Sequence, residues 1–185
     1  MPSAVPSNGG LPADGIVLTM IVRNEERVIE RCLASVRDVI DGYVICDTGS
    51  TDNTIERIES YLSDVPGVVL RRPWVSFGHN RSELAELARG SGDHHLLLDA
   101  DMVMEFSDGV PPLEKGIAYL VRHRGEADYF APRFIDGDLP WRWKGSTHET
   151  LVADVPFRHR LLEGVRVIHH GDGADTSTPL ITRPR

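Results

Sequence analysis

Short apolar runs alternate with amphipathic stretches over the first hundred residues. Four runs are typical of buried strands, at 15–22, 43–46, 68–70 and 96–98. In the intervening stretches apolar side chains recur at helical spacing, at about 28–40, 55–62 and 80–88. This β-α-β-α-β-α-β order predicts a parallel sheet with helices on both faces.

The regular alternation is lost after Glu105. Pro111-Pro112 can begin a helix, and the apolar residues that follow are spaced along one side of it, at Leu113, Ile117, Leu120 and Val121. Further strands are expected at 128–135, at 141–152 and within 161–170. We therefore expect a mixed or antiparallel second part of the sheet.

The two ends of the chain lack a pattern of buried residues. Residues 1–14 are rich in Pro, Gly and Ser and predict a disordered leader, and residues 174–185 predict a flexible tail after a domain at 15–173. The N-terminus has neither a basic n-region nor an apolar h-region, and no apolar stretch approaches a membrane span.

Cys32 and Cys46 fall on apolar elements, as reduced core cysteines do. We expect a cytoplasmic protein without an integral membrane segment.

The formal net charge of −8 argues against a nucleic-acid partner, because a phosphate backbone attracts basic surfaces. An acidic protein that handles a phosphorylated ligand would gain from a cation that offsets the like charge.

The apolar run at 96–98 ends in Asp99-Ala100-Asp101, at what would be the carboxyl edge of the sheet. In an extended chain the two carboxylates would face one ligand together. Such a pair suits a divalent cation that also holds phosphate oxygens. The alternative is a solvated acidic turn without a ligand.

Two other classes of phosphate-handling protein share acids at strand ends. A dinucleotide-binding fold needs a glycine-rich turn after its first strand, where this chain has Arg23-Asn24-Glu25-Glu26. The segment LLLDADMV also fits the first motif of HAD-type phosphatases, with Asp99 as nucleophile and Asp101 as general acid. Those enzymes place this strand first and need a later acidic pair, whereas here three strands precede it and no such pair follows.

Four segments have motif character: TMIVRNEERVIERCLASV at 19–36, ICDTGSTDNT at 45–54, FGHNRSELAELARG with LLLDAD at 77–101, and WRWKGSTHETL with VIHHGDG at 141–173. Together they resemble the GT-A glycosyltransferases of family 2. The fourth segment is similar to a bacterial subgroup with a Gly-x-x-His-Glu motif, often found in longer multi-domain chains. The resemblance implies a GT-A fold, a three-layer α/β/α arrangement with a mixed, initially parallel sheet.

The resemblance also implies a nucleotide site, formed by Val22, Asn24, Asp47, Arg81, Asp99 and Ala100. Asp47 matches the Asp that contacts the pyrimidine base, but an Asp there can equally cap the turn that follows it. Asn24 can equally cap the following helix, with Glu25 and Glu26 in its first turn. Arg81 matches an Arg that faces the nucleotide, although an exposed helical Arg is common.

A metal site is implied as well, for Mn²⁺ or Mg²⁺. Asp101 resembles the direct ligand and Asp99 a ribose or metal contact. GT-A enzymes often complete the metal shell with a C-terminal His, here His169 or His170, and imidazole is an acceptable manganese ligand. The alternative is a strand histidine that is simply hydrogen-bonded in place.

Glu149 resembles the base that deprotonates the acceptor, a role that suits a carboxylate whose pKa is raised by burial. A surface Glu on a strand edge is the alternative. His148 would orient this acid or the phosphates. Trp143, together with Trp141, could stack on a sugar or fill the core, on the face opposite to Arg142.

The implied function is metal-dependent, inverting transfer of a sugar from a nucleoside diphosphate sugar, UDP-linked, to a saccharide, peptide or small-molecule acceptor. Two alternatives stay open at this point. One is a HAD-like phosphatase that uses Asp99 as nucleophile. The other is a nucleotide-sugar binding module that does not turn over.

Overall fold

The computed structural model describes residues 10–124, 128–145 and 150–174. The sequence expectation of four strands alternating with three helices is confirmed for the first hundred residues. The elements follow in the order β1 (Ile16–Val22), α1 (Ile29–Val36), β2 (Gly42–Asp47), α2 (Thr54–Tyr61), β3 (Gly67–Arg71), α3 (Phe77–Ala88), β4 (His94–Leu97), β5 (Met102–Phe106), β6 (Ile117–Arg124), β7 (Tyr129–Asp136), β8 (Trp141–Lys144), β9 (Thr150–Ala153) and β10 (Arg158–His169).

The main sheet has eight strands in the order β3-β2-β1-β4-β7-β6-β10-β5. The first four strands in this order pair in parallel, as the βαβ alternation requires. Beyond β4 the pairing is mixed: β7 is antiparallel to β4 and β6, β10 is parallel to β6, and β5 is antiparallel to β10. The mixed, initially parallel sheet is therefore confirmed.

Each face of this sheet is covered by a different layer. On one face, α1 and α2 bury apolar side chains such as Leu33 and Ile58 against strands of both halves. On the other face, Leu84 and Ala88 of α3 pack on β1 and β2. The hairpin of β8 and β9 adds Trp141 and Leu151 to this second face, beside α3. Burial of these apolar faces is the main force that holds the three layers together.

The helix expected after Pro111-Pro112 is wrong, because residues 117–124 form strand β6. Ile117 and Val121 are four residues apart, a spacing that fits both a helix and one face of a strand. Tyr119, between them, is also fully buried, as the alternation of a strand requires. Pairing with β7 on one side and β10 on the other decides the conformation.

The expected strand at 141–152 is two strands instead. β8 and β9 pair antiparallel in a separate two-stranded sheet, with Trp141 opposite Ala153 and Lys144 opposite Thr150. The Trp143 N–H donates to Ser82 Oγ over 2.9 Å, which ties the hairpin to α3. The other two expected strands, β7 and β10, are present.

Residues from the expected leader contact the domain. Leu11 packs against the cluster that contains Val44, and the Pro12 carbonyl accepts a hydrogen bond from Gly92 N–H at 2.9 Å. Residues 1–9 and 175–185 lie outside the described residues, so the leader, the tail and the domain limits stay predictions.

Cys32 and Cys46 are buried free thiols, as expected. Across the ranges that the structure covers, no helix is long and apolar enough to cross a membrane.

Strand β7 offers a matched test of the core. Phe134 is fully buried at the centre of the sheet, whereas Phe130 of the same strand is 52% exposed. We expect Phe134→Ala to lower the free energy of unfolding by about 3–5 kcal/mol, because it leaves a cavity in the core. Phe130→Ala should cost less than about 1 kcal/mol. Denaturant unfolding measures both, and equal losses would contradict this placement of the core.

Candidate active site

The acidic segment at 99–101 forms a turn rather than the end of an extended strand. β4 ends at Leu97 and β5 begins at Met102, whose N–H donates to the Asp99 carbonyl over 3.0 Å. The extended conformation from which a shared orientation of Asp99 and Asp101 was expected is therefore not present, although both side chains line one cleft. The physical reason is topological, since β4 lies inside the sheet while β5 pairs with β10 at its far edge.

The turn brings Asp101 and His169 together. His169 Nε2 lies 2.9 Å from Asp101 Oδ2. In the antiparallel pairing of β5 and β10, His169 is opposite Met102, the residue next to Asp101. The His170 N–H continues the pairing by donating to the Asp101 carbonyl over 3.1 Å. Of the two candidate histidines, His169 is therefore the one whose ring reaches the acidic turn.

Asp99 has a different partner. Arg81, on α3, donates to Asp99 Oδ1 at 2.9 Å, and its guanidinium lies 5.2 Å from the centre of the Phe77 ring. Burial by itself would raise the pKa of the Asp99 carboxyl, but the charges of Arg81 and Arg133 outweigh it and lower the pKa. Asp99 is thus held ionised at the end of β4.

One open cleft of about 310 Å³ joins these side chains. It contains five of the expected site residues, Arg81, Asp99, Ala100, Asp101 and His169, and it is also lined by Ile21, Glu25, Phe77 and Gly173. From the sequence, Glu25 is expected in the first turn of a helix, and Phe77 has no expected role. Both lie beside the acidic turn only because β1, α3 and the turn meet at one edge of the sheet.

The donor atoms of the cleft fit a hard divalent cation. Asp101 supplies carboxylate oxygens and His169 an imidazole nitrogen, while Asp99 lies two residues away along the turn. Within the described part of the chain no three acidic, His or Cys side chains converge into a ready-made metal cage. The set therefore fits an ion that completes its shell with ligand phosphate and water oxygens.

The segment after β10 closes one side of the cleft. Asp172 forms two hydrogen bonds with the Arg31 guanidinium of α1, at 2.6 and 2.9 Å. The Ala174 N–H donates to Glu25 Oε2 over 3.2 Å. A side chain at Gly173 would come within 3.3 Å of Asp101 Cβ, so a glycine suits this close approach. The His-His-Gly-Asp-Gly motif thus ties the chain to the acidic turn.

The residues expected to contact the nucleotide base are joined to the loop after β2 by internal hydrogen bonds. Asp47 is buried and accepts hydrogen bonds from the N–H groups of Gly49 and Ser50, which is the turn-capping role. The Val22 carbonyl accepts from the N–H and hydroxyl of Thr48. Contacts of Val22, Asn24 and Asp47 with a nucleotide stay predictions.

Asn24 does not cap α1. It lies at φ 56°, in the left-handed region that Asn tolerates better than most residues. Its Oδ1 accepts the Thr51 N–H at 2.7 Å and so holds the loop after β2. Helix α1 begins at Ile29 without a side-chain cap, which leaves Glu25 and Glu26 outside its first turn.

A second cavity, of about 180 Å³, shares Arg81 and Asp99 with the cleft and lies between α3, β1, β4, β7 and the β8–β9 hairpin. Trp143 and Leu151 line it. Trp141, by contrast, is core: it is buried, and its Nε1–H donates to the Asp136 carbonyl at 2.7 Å. The expectation that both tryptophans lie on the face opposite to Arg142 is consistent with these positions. His148 and Glu149 lie outside the described residues.

Arg133, on β7, also lines this cavity and was not expected there. In the sequence it was one charged residue in a weakly alternating stretch, a signal that also fits an exposed strand position. Only the neighbouring strands show that its guanidinium faces inward.

A family model for glycosyl transferase family 2 matches residues 18–174, most of the chain. This chain belongs to that family. The assignment confirms the resemblance and agrees with the three-layer fold. It also favours a transferase over the phosphatase that the Leu-Asp-Ala-Asp segment left open.

This chain is similar to a TPR repeat-containing protein of Synechococcus elongatus, with 37% identity over 87 residues. That match covers 46% of this chain and 20% of the relative, so the chain spans a small part of the longer protein.

Two solved structures show partial likeness. The first is S. aureus TarS 1–349 in complex with UDP-GlcNAc, with 23% identity, a TM-score of 0.43, and coverage of 49% of this chain and 27% of that one. The second is Mycobacterium tuberculosis glucosyl-3-phosphoglycerate synthase in complex with Mn²⁺, UDP-glucose and phosphoglyceric acid, with 23% identity, a TM-score of 0.38, and coverage of 52% and 35%.

His95 gives a pH test of the cavity wall. It is buried on β4 with Nε2 3.0 Å from the Ser91 carbonyl, and burial lowers its pKa from 6.5 to about 4. Between these pH values the unfolded chain binds a proton that the folded chain does not, so stability falls as the pH falls from 6.5 to 4. We expect His95→Gln to reduce this slope, by up to about 1.4 kcal/mol per pH unit. Urea unfolding across the pH range measures it, and identical slopes would contradict burial of a neutral imidazole.

Proposed function

We propose that this chain transfers a sugar from a nucleoside diphosphate sugar, UDP-linked, to an acceptor, with a divalent cation and with inversion at the anomeric carbon. Family membership supports the transfer chemistry. The observation that carries the proposal is the meeting of Asp99, Asp101 and His169 with Arg81 in one cleft at the carboxyl ends of β1 and β4. Ligands of open α/β sheets bind at such an edge.

In this proposal Asp101 and His169 would hold Mn²⁺ or Mg²⁺, since they bring a carboxylate oxygen and an imidazole nitrogen together in the cleft. When bound, the cation supplies positive charge that offsets the charge on the leaving diphosphate. Arg81 adds a guanidinium to the lining of the cleft, where it lies over the Phe77 ring. A preorganised cation needs no rearrangement as the bond to the diphosphate breaks.

Asp99 would contact the ribose or the cation. Its pairing with Arg81 keeps it ionised and fixes its direction, because a 2.9 Å hydrogen bond joins the two side chains. The loop that Asp47 and Asn24 hold in place would form the wall of the pocket for the nucleotide base. Its internal hydrogen bonds make that wall rigid before a nucleotide binds, which lowers the entropic cost of binding.

Glu149 would act as the base. As the acceptor hydroxyl oxygen attacks the anomeric carbon, its proton passes to the Glu149 carboxylate and the carbon–oxygen bond to the diphosphate breaks. Attack from the face opposite to the leaving group gives inversion. Glu149 directly precedes β9 in the sequence. Leu151 of β9 lines the second cavity, which also contains Arg81 and Asp99 in its lining. That cavity, with Trp143 in its wall, is our candidate space for the sugar or the acceptor.

The donor site is tested by calorimetric titration of UDP with and without Mn²⁺. We expect the wild type to bind UDP more tightly with Mn²⁺, and Asp101→Ala to lose that gain, because a carboxylate ligand is removed. Asp108→Ala is a matched control, since Asp108 is an exposed residue beyond the far end of β5. UDP binding that ignores both Mn²⁺ and Asp101 would overturn the metal-dependent donor site.

The role of Glu149 is tested by Glu149→Gln. This variant should bind UDP as the wild type does but lose sugar transfer by about a hundredfold or more, since a neutral amide cannot take the proton. Glu163→Gln, at an exposed position of β10, serves as the control. The readout is release of UDP from UDP-sugars in the presence of candidate acceptors. Full activity of the Gln variant would exclude Glu149 as the base, and a wild type that binds UDP without turnover would indicate a binding module.

A further inference from the structure

The cavity that shares the Arg81–Asp99 pair with the cleft has a few charged side chains in its lining. Most of its lining is apolar, from β1, α3, β4, β7 and the β8–β9 hairpin. The charged groups among its described lining residues are the guanidinium groups of Arg81 and Arg133 and the carboxylate of Asp99. Arg81 already contacts Asp99, which leaves Arg133 as the guanidinium of interest.

The described hydrogen bonds of Arg133 go to uncharged acceptors. Its Nε donates to His123 Nε2 at 2.9 Å, and its Nη1 donates to the Leu97 carbonyl at 3.2 Å. These contacts anchor the guanidinium from β7 to β6 on one side and β4 on the other. Burial lowers the pKa of Arg133, and the negative charge of Asp99 opposes that change. No described hydrogen bond joins Arg133 directly to Asp99.

His123 is an unusual anchor. It is fully buried on β6, and its ring stacks on Tyr129 at 4.4 Å between ring centres. Because Nε2 accepts from Arg133, the single proton of the neutral ring is on Nδ1. Nδ1 is buried and has no hydrogen-bond partner in the described structure. Such an orphaned buried group is rare in proteins and calls for a reason.

The reason we find is that a neutral acceptor orients the arginine without neutralising it. A carboxylate at position 123 would hold the guanidinium more strongly, but it would also cancel its charge. An imidazole kept neutral by burial and by the adjacent cation fixes the same geometry and leaves the positive charge for the cavity. The cavity therefore holds two guanidinium groups, of Arg81 and Arg133, against the single carboxylate of Asp99, and the direct hydrogen-bond acceptors of Arg133 carry no charge. Electrostatic attraction of an anion to this excess positive charge is strong where water is partly excluded.

We propose that Arg133 binds an anionic group, a carboxylate or phosphate, on the molecule that occupies this cavity, and that His123 is the positioning residue for Arg133. This inference rests on the proposed function, because the cavity adjoins the donor cleft. The anion belongs either to the sugar of the donor or to the acceptor. Through this contact Arg133 selects charged over neutral substrates.

The test compares charged and neutral probes in calorimetric titrations of the whole chain. One arm titrates D-glucuronate, D-glucose 6-phosphate and D-glucose into protein saturated with UDP and Mn²⁺, and tests whether the anion belongs to the acceptor. The other arm compares UDP-glucuronate with UDP-glucose, and tests whether the anion belongs to the donor sugar. We expect the charged probes of one arm to bind about tenfold or more tightly than their neutral partner. Equal affinities in both arms would overturn the proposal.

Variants separate the charge from the structure. Arg133→Met should remove the preference and Arg133→Lys should keep part of it, because Lys retains the charge without the planar fork. Arg122→Met, at an exposed neighbouring position of β6 paired with Asp128, should leave the preference unchanged. A preference that survives Arg133→Met in a folded protein would overturn the proposal.

His123 variants test the positioning role. His123→Gln supplies a neutral acceptor and should keep the preference. His123→Glu should abolish it while thermal unfolding shows a folded chain, because the new carboxylate pairs with Arg133. Loss of the preference in both variants, or in neither, would overturn the role given to His123. Titration of UDP with Mn²⁺ reports on the donor site separately, so a failed donor site is distinguishable from a failed anion site.

Discussion

The turn at 99–101 is the constraint on which the site depends. β4 runs up the middle of the sheet between β1 and β7, yet the next strand along the chain pairs at the far edge with β10. The chain must therefore leave the sheet at its carboxyl edge and change direction there. The antiparallel partner β10 returns to the same point and delivers His169, which is 68 residues away in sequence, to Asp101.

The Arg81–Asp99 pair belongs to two spaces at once. It lines the open cleft with Asp101 and His169, and it also lines the cavity with Arg133 and Trp143. A charge pair that is partly shielded from water is both stronger and better oriented than one on an open surface. The same contact therefore orders a carboxylate for one space and forms a wall of the other.

The parallel half of the sheet was predictable because its strands are buried on both faces. A strand in that position needs a continuous apolar run, such as Leu96 to Leu98, and the amphipathic stretches between such runs can only be the crossover helices. The second half was less predictable. Ile117 and Val121 satisfy helix and strand spacing alike, and WRWKGSTHETL contains two strands that pair with each other instead of with the main sheet. In both cases the hydrogen-bonding partner, which is remote in sequence, decides the conformation.

By itself the sequence determined which polar residues end the buried strands, because charge cannot continue an apolar run into a core. That was enough to predict Asp99 and Asp101 as site residues, and the motifs around them carried the family. Arg81, which lies on α3, was expected only from the resemblance to that family. Tertiary structure alone decided that Asp99 and Asp101 take different partners, that the ring of His169 is the one that contacts Asp101, and that Arg133 faces inward on a neutral His123. These outcomes depend on register and strand order, which arise from contacts between residues far apart in the chain and leave no local pattern of their own.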